Sequence, residues 1–234
     1  MAVRALKAPV PTYEETGAPS RSDHVYRYLR EELMRGELKP HERLRIRDLA
    51  AKLSTSETPV REAIFQLVRD GAVELKPHSY VRVRRLSLVE YLEGRDIRLM
   101  LEPFAGERAL DHVTTADIAN LRKVHRSLIA AEKARDYQTA VLRNYDFHFG
   151  LYRRSGMTQV LDILETLWMR LGPMLNLYLY RDGTPYSGEG HQHEVVIEAL
   201  ERRDARALKK SIRDDMIEGG RNFVRVLTEA EALA

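Results

Sequence analysis

The strongest constraint on the fold lies between Ile46 and Arg84, where two short helical runs meet at a turn and two β-rich runs follow at once. Ile46, Leu49, Ala50 and Leu53 make one apolar face; after Ser54-Thr55-Ser56, a second is made by Val60, Ile64, Leu67 and Val68. Pro59 falls in the first turn of that second helix, where its missing N–H costs nothing. An earlier helix, capped at Ser22 or Asp23 and stopped at Gly36, carries Val25, Tyr26, Leu29, Leu33 and Met34, and 37–40 is a turn. Val73–Lys76 and Tyr80–Arg84 then flank Pro77-His78-Ser79 as the arms of a hairpin. Three short helices closed by a hairpin describe a winged helix-turn-helix.

From Ser87 onward only helical periodicity remains. Ser87 with Glu90 forms a capping box opening a helix to about His112, and Thr114 with Asp117 caps another to about Arg135. Further helices are predicted over 136–154, 157–180, 190–203 and 204–228, with Gly156, Gly183, Gly188 and Gly190 in the breaks. The expected fold is therefore mainly α: residues 1–20 a flexible tail, 21–85 the winged module, and 87–230 an all-α helical bundle. Arg84-Arg85-Leu86 is a short connector, too short for the two modules to act independently.

Charge separates along the same boundary. Residues 1–86 carry 17 Lys and Arg against 12 Asp and Glu, whereas 87–234 carry 21 against 23. A basic module beside a slightly acidic one suits a polyanion at one end and something else at the other. With no cysteine, disulfides and thiolate metal ligands are excluded. No apolar run reaches the length of a membrane span, and the N-terminus lacks a signal-peptide stretch, so a cytoplasmic location is expected.

The second helix of the turn motif opens with small hydroxylated residues and projects an arginine. Small residues permit close approach to a DNA major groove, and the guanidinium of Arg61 suits the edge of guanine. Thr55, Ser56 and Thr58, beside the free N–H groups of a helix start, suit phosphate oxygens, and Arg47 a phosphate or a base. The alternative for Arg61 is a surface pair with Glu57 or Glu62. In the helical half, Asn144 and His148 stand one turn apart and project from one face.

The run Gly36-Glu37-Leu38-Lys39-Pro40, then Arg47-Asp48-Leu49-Ala50, Thr58-Pro59-Val60-Arg61-Glu62-Ala63-Ile64, Leu67 and Asp70-Gly71 resembles the DNA-binding domain of the GntR transcription regulators. The second half is similar to the all-helical effector (FCD-type) domain of their FadR-like subfamily. That match rests on Arg98-x-x-x-Glu102, Asn144-x-x-Phe147-His148, Ser155-Gly156, His193, Ala199-Leu200 and Asp204-x-x-Ala207. Two departures stand out. Glu57 occupies a position where many relatives carry arginine, and Ser79-Tyr80 replaces the usual arginine-glycine pair of the wing.

The resemblance implies a homodimeric regulator, a repressor rather than an enzyme, that binds a double-stranded DNA operator and has no membrane partner. His78 and Ser79 would reach the minor groove. Asn144, His148, His193 and Asp215 would hold a divalent ion, zinc or nickel being the best match to imidazole ligands. His191 is an alternative to His193, and Asp214 to Asp215. A small carboxylic acid would be the effector, with Arg98, Arg170 and Asn176 as its ligands and Tyr178 and Tyr180 nearby; Arg98 pairing with Glu102 is the competing role. Two other functions fit parts of the pattern: a hydrolytic metalloenzyme using His148, His193 and Asp215, and an architectural DNA-binding dimer without effector.

Overall fold

A computed structural model of the chain describes residues 20–76, 80–178 and 191–232. Residues 1–19 of the tail expected at 1–20, the wing residues His78 and Ser79, the side chains of Asn176 and Tyr178, and Tyr180 lie outside them, while Ser20 is described. The first module comprises α1 (Arg21–Met34), α2 (Ile46–Lys52), α3 (Glu57–Arg69), β1 (Val73–Lys76) and β2 (Tyr80–Val83). The second comprises α4 (Leu88–Ala109), α5 (Thr115–Lys133), α6 (Tyr137–Tyr152), α7 (Thr158–Tyr178), α8 (Gln192–Glu201) and α9 (Ala205–Ala232), with a single 3₁₀ turn at Arg153–Ser155. This is the mainly α, two-module fold that the periodicity predicts.

Two local details correct that prediction. Helix α1 is capped by Ser20, not by Ser22 or Asp23. The Ser20 hydroxyl accepts from the Asp23 amide and the Asp23 carboxylate accepts from the Ser20 amide, so Asp23 is the third-residue partner of a capping box. The chain after the 37–40 turn does not run on as plain loop. Leu44 N–H donates to Val81 O, Val83 N–H to Glu42 O, and His41 N–H to Val83 O, which adds a third short edge to the hairpin. The capping boxes at Ser87–Glu90 and Thr114–Asp117 form as expected.

Helices α1 and α3 bury Leu29, Leu33, Val60, Ile64 and Leu67 against Val73, Val81 and Val83 of the hairpin. In the bundle, Phe147, Phe149, Tyr152, Trp168, Ile212 and Phe223 are fully buried, and this core runs unbroken into that of the first module. The join is tight. Gly172 of α7 lies against the last turn of α1, where a Cβ would overlap the Leu33 carbonyl and stand 2.8 Å from Met34 Cα. Around it, Arg30 pairs with Glu165, and the Leu86 amide donates to Met174 Sδ at 3.1 Å. Tyr26 O–H donates to Asp70 at 2.7 Å, tying α1 to the end of α3. Gly71 has a left-handed φ, +74°, and Arg170 of α7 packs beside it while donating Nε–H to Asp70 O at 2.5 Å.

Candidate DNA-reading face and metal centre

Helix α3 turns Val60, Ala63, Ile64 and Leu67 inward and leaves Glu57, Thr58, Arg61, Glu62, Phe65 and Arg69 on its open side. Ser56 is its N-cap residue but makes no side-chain cap bond, so its hydroxyl is not committed to the helix. Among the described residues Thr55 Oγ1 is buried without a partner. Arg47 is exposed at the start of α2. Arg61 Nη2 donates to Glu57 Oε2 at 2.8 Å, with both side chains about half exposed. Such a pair is worth about 0–1 kcal/mol and yields readily to a phosphate or a base. Phe65, one turn beyond Arg61 and 55% exposed, was not singled out in the sequence; an aromatic on the outer face of an amphipathic helix was the available signal. On the hairpin, Arg43, Lys76 and Arg82 gather around the Tyr80 ring.

The second site is built from three helices of the bundle. His148 from α6, His193 from α8 and Asp215 from α9 converge: His148 Nε2 lies 3.3 Å from His193 Nε2 and 3.3 Å from Asp215 Oδ2, and His193 Nε2 lies 3.8 Å from Asp215 Oδ1. Asp214 instead pairs with Lys210 on the surface, so of the two adjacent carboxylates it is Asp215 that meets the histidines. Asn144 is half-buried one turn before His148. His191 accepts the His193 amide hydrogen on Nδ1 at 3.1 Å and so caps α8. It also stands with His125 and His193 in a neighbouring triad. His125 was missed because nothing near it on α5 hints at a partner.

Behind His148 runs a buried polar chain. Glu102, fully buried, accepts from Arg98 Nε at 2.5 Å and from Trp168 Nε1 at 2.9 Å on one oxygen, and from Tyr152 O–H at 2.9 Å on the other. Tyr152 O is in turn 3.2 Å from His148 Nδ1. Because the tyrosine proton goes to Glu102, His148 is the donor in that contact, and its Nε2 presents a lone pair to Asp215 and His193. Burial lowers the His148 pKa to about 4, with Glu102 opposing, and burial drives that of His193 well below normal. Both imidazoles are thus neutral, the form that binds metal. Burial, reinforced by Glu102, raises Asp215 to about 7.

This donor set fits a transition-metal ion. Two neutral imidazoles and one carboxylate face a common point, and their ligand atoms all lie within 4.8 Å of one another. His148 also has the hydrogen-bonded support behind it that metal-binding histidines need. Arg98 stacks over Trp168, guanidinium to ring centre 4.5 Å, while it serves Glu102. Arg98 and Arg170 nevertheless line the same cleft, which opens at the junction of the two modules and has a volume of about 210 Å³.

Residues 21–83 match the description "Bacterial regulatory proteins, gntR family" and residues 93–217 match "FCD domain". The chain is 31% identical over 190 residues to the HTH-type transcriptional regulator McbR of Escherichia coli, covering 80% of this chain and 86% of that one. It is 27% identical to a probable D-xylose utilization operon transcriptional repressor of Paenarthrobacter nicotinovorans, covering 74% and 75%. It is 23% identical to the transcriptional repressor RspR of E. coli, covering 82% and 83%. The solved structure of E. coli McbR/YncC superimposes with a TM-score of 0.80 at 29% identity, covering 91% of this chain and 99% of that one. A putative GntR regulator from Rhodococcus sp. RHA1 shares the fold, with a TM-score of 0.71 at 19% identity over 90% and 98%. Among the described residues no helix is long and apolar enough to cross a membrane. These relatives are transcription regulators, not enzymes, and the chain belongs with them to the GntR family, as a DNA-binding transcriptional regulator with an FCD domain.

Proposed function

We propose that the protein is a homodimeric repressor whose operator affinity is set by a small organic acid bound in the helical half, with a divalent metal ion holding that half together. The observation that carries the reading is the free outer face of α3. Arg61 stands there in a pair weak enough to be exchanged for a guanine edge, flanked by uncommitted hydroxyls at the helix start. Ser56, Thr58 and Arg47 take phosphates, Thr55 would join them only by turning its buried hydroxyl outward, and Phe65 offers an apolar contact for a thymine methyl. His78 and Ser79, between β1 and β2, extend the contact into the neighbouring groove. Repression is the sense of control because two of the relatives named above are repressors.

Dimerisation is supported by Val89, Met100 and Phe104, which follow one exposed stripe of α4, and by exposed Ile163 on the adjacent α7. A two-fold axis would then present two α3 helices to a palindromic site. Asn144, His148, His193 and Asp215 would hold the metal. When bound it supplies a cross-link between α6, α8 and α9, while the residues behind it keep their own tasks: Tyr152 orients His148, and Glu102 joins Tyr152 to Arg98. The centre thereby touches the chain of hydrogen bonds that ends at the cleft shared by Arg98 and Arg170. Asn176, the remaining residue expected to hold the acid, has its side chain outside the described residues.

The test is selection of genomic fragments by the purified protein, then footprinting and titration of the chosen duplex. Arg61→Ala is expected to lose about 1–3 kcal/mol of specific affinity and to relax preference at one base position. Unchanged affinity in that variant, or no salt-sensitive preference for any fragment over random duplex, overturns the reading.

A further inference from the structure

Building on the proposed control by a small acid, we propose that the cleft at the junction of the connector, α4 and α7 is the acid's site, that it takes a small organic dianion, and that filling it draws Arg170 off the DNA-binding module. Four guanidiniums line the cleft, from Arg84, Arg95, Arg98 and Arg170, against the carboxylates of Glu90 and Glu93. Two of the four are spent: Arg84 pairs with Glu90 and Arg98 with the buried Glu102. The other two keep charge in hand. Among the described residues, Arg95 Nε is buried with no acceptor, and its Nη2 reaches only the exposed Asp96, at 3.3 Å. Arg170 gives its Nε–H to a neutral acceptor, the Asp70 carbonyl. About 210 Å³ is several times the ~30 Å³ share of one water, enough for an acid of a few carbons.

The chemistry favours two acidic groups over one. A carboxylate matches the guanidinium fork and makes charge-assisted bonds roughly twice as strong as neutral ones, so it outcompetes a carbonyl for Arg170. A first carboxylate satisfies the orphaned Arg95 and a second draws Arg170. The consequence is mechanical. The Arg170 guanidinium sits 3.2 Å from where a Cβ of Gly71 would stand, wedged on the left-handed turn that ends the DNA-reading helix α3. Withdrawing it removes the hydrogen bond that joins α7 to that turn, and the winged module is then held by the α1 contacts and by the connector, whose Leu86 amide bonds Met174. The ligand shifts the arrangement by no more than its preference for the released state.

The experiment uses the full chain and its selected operator duplex. Malonate, succinate, citrate, inorganic phosphate and the monoanion acetate are compared at matched ionic strength, by calorimetry and by operator titration. We expect a di- or tricarboxylate to bind and to weaken the operator complex, with acetate inert. Arg95→Gln should weaken that binding at least about tenfold. Arg170→Gln should give the ligand-weakened operator affinity without ligand and no further response to it. Phosphate acting in place of the carboxylates would identify a phosphate ester as the dianion. Absence of binding by every dianion, equal effect of acetate, or binding that both variants leave intact overturns the proposal. Failure of the repressor reading itself is separate, since it shows as loss of operator selection and insensitivity to Arg61→Ala.

Discussion

Two ion pairs with the same chemistry and the same four-residue spacing sit in opposite halves of this protein. Glu57–Arg61 on α3 is about half exposed on both sides, whereas Arg98–Glu102 on α4 is 11% and 0% exposed. In water the first pair is screened and replaceable, which is what a DNA-reading arginine needs. In the bundle the second is desolvated, and Trp168 and Tyr152 satisfy the remaining capacity of Glu102. There the pair anchors a network and neither partner can be removed alone. Identical spacing thus serves a removable contact in one module and a fixed one in the other, and burial alone makes the difference.

The sharpest way to break the comparison is Glu102→Gln, which leaves the Arg98 cation buried without its counter-charge. Chemical denaturation should show a loss of about 3–5 kcal/mol; a variant as stable as the parent would mean that water reaches Arg98. Acid should have an effect of similar scale on metal-free protein. His148 and His191, held by burial at about 4 and about 3, take up protons when unfolded that they refuse when folded. Their contribution is therefore complete above the unfolded value near 6.5 and lost as pH falls from there toward 4. Asp215, raised to about 7, works in the opposite sense over the same interval, one group against His148, His191 and the likewise depressed His193. Melting temperatures from pH 7 to 4.5 should fall in the metal-free protein, and flat melting would show that the histidines are solvated.

Gly172→Ala probes the join rather than either pair. A methyl driven against Leu33 O and Met34 should cost about 1–3 kcal/mol and separate the melting of the two modules. A single unshifted transition would indicate that α1 and α7 are free to slide. Smallest of all, Glu57→Ala should change stability by less than about 1 kcal/mol. It should at the same time strengthen operator binding and steepen its salt dependence by freeing Arg61 and removing a carboxylate from the phosphates. If Glu57→Ala instead weakens binding to the selected duplex, the glutamate is itself reading a base.

Much of the fold was legible because its signals are local. The capping boxes at Ser87 and Thr114, the Gly36 stop and the inward face of α3 each involve residues within a few positions, and the structure places them accordingly. What escaped was non-local. The 41–44 segment has no strand pattern of its own and is extended only because Val81 and Val83 offer their backbone to it. Ser20 was passed over for Ser22 and Asp23, since three polar candidates in four residues look alike until the helix sets its register. At the candidate metal centre, His148 could be placed on a helix face from its spacing, but the choice between Asp214 and Asp215 waited on the packing of α9. His125 joined from α5, whose sequence says nothing about the site, and Tyr152, one turn beyond His148 on α6, joined because the buried Glu102 of α4 takes its proton.

By itself, then, the sequence determined the order and kind of the elements, the division between a basic winged module and a helical bundle, and the arginine on the outer face of α3. Periodicity, capping and charge are properties of neighbours along a chain, and they survive without knowledge of the third dimension. Tertiary structure alone decided which arginine is buried and which is free. It also decided that Arg170 turns to the Asp70 carbonyl, and that Arg95 and Arg170 share one cleft at the join. The reason is physical: desolvation and close packing depend on what other helices bring to a residue, and no residue carries that information in its own stretch of chain.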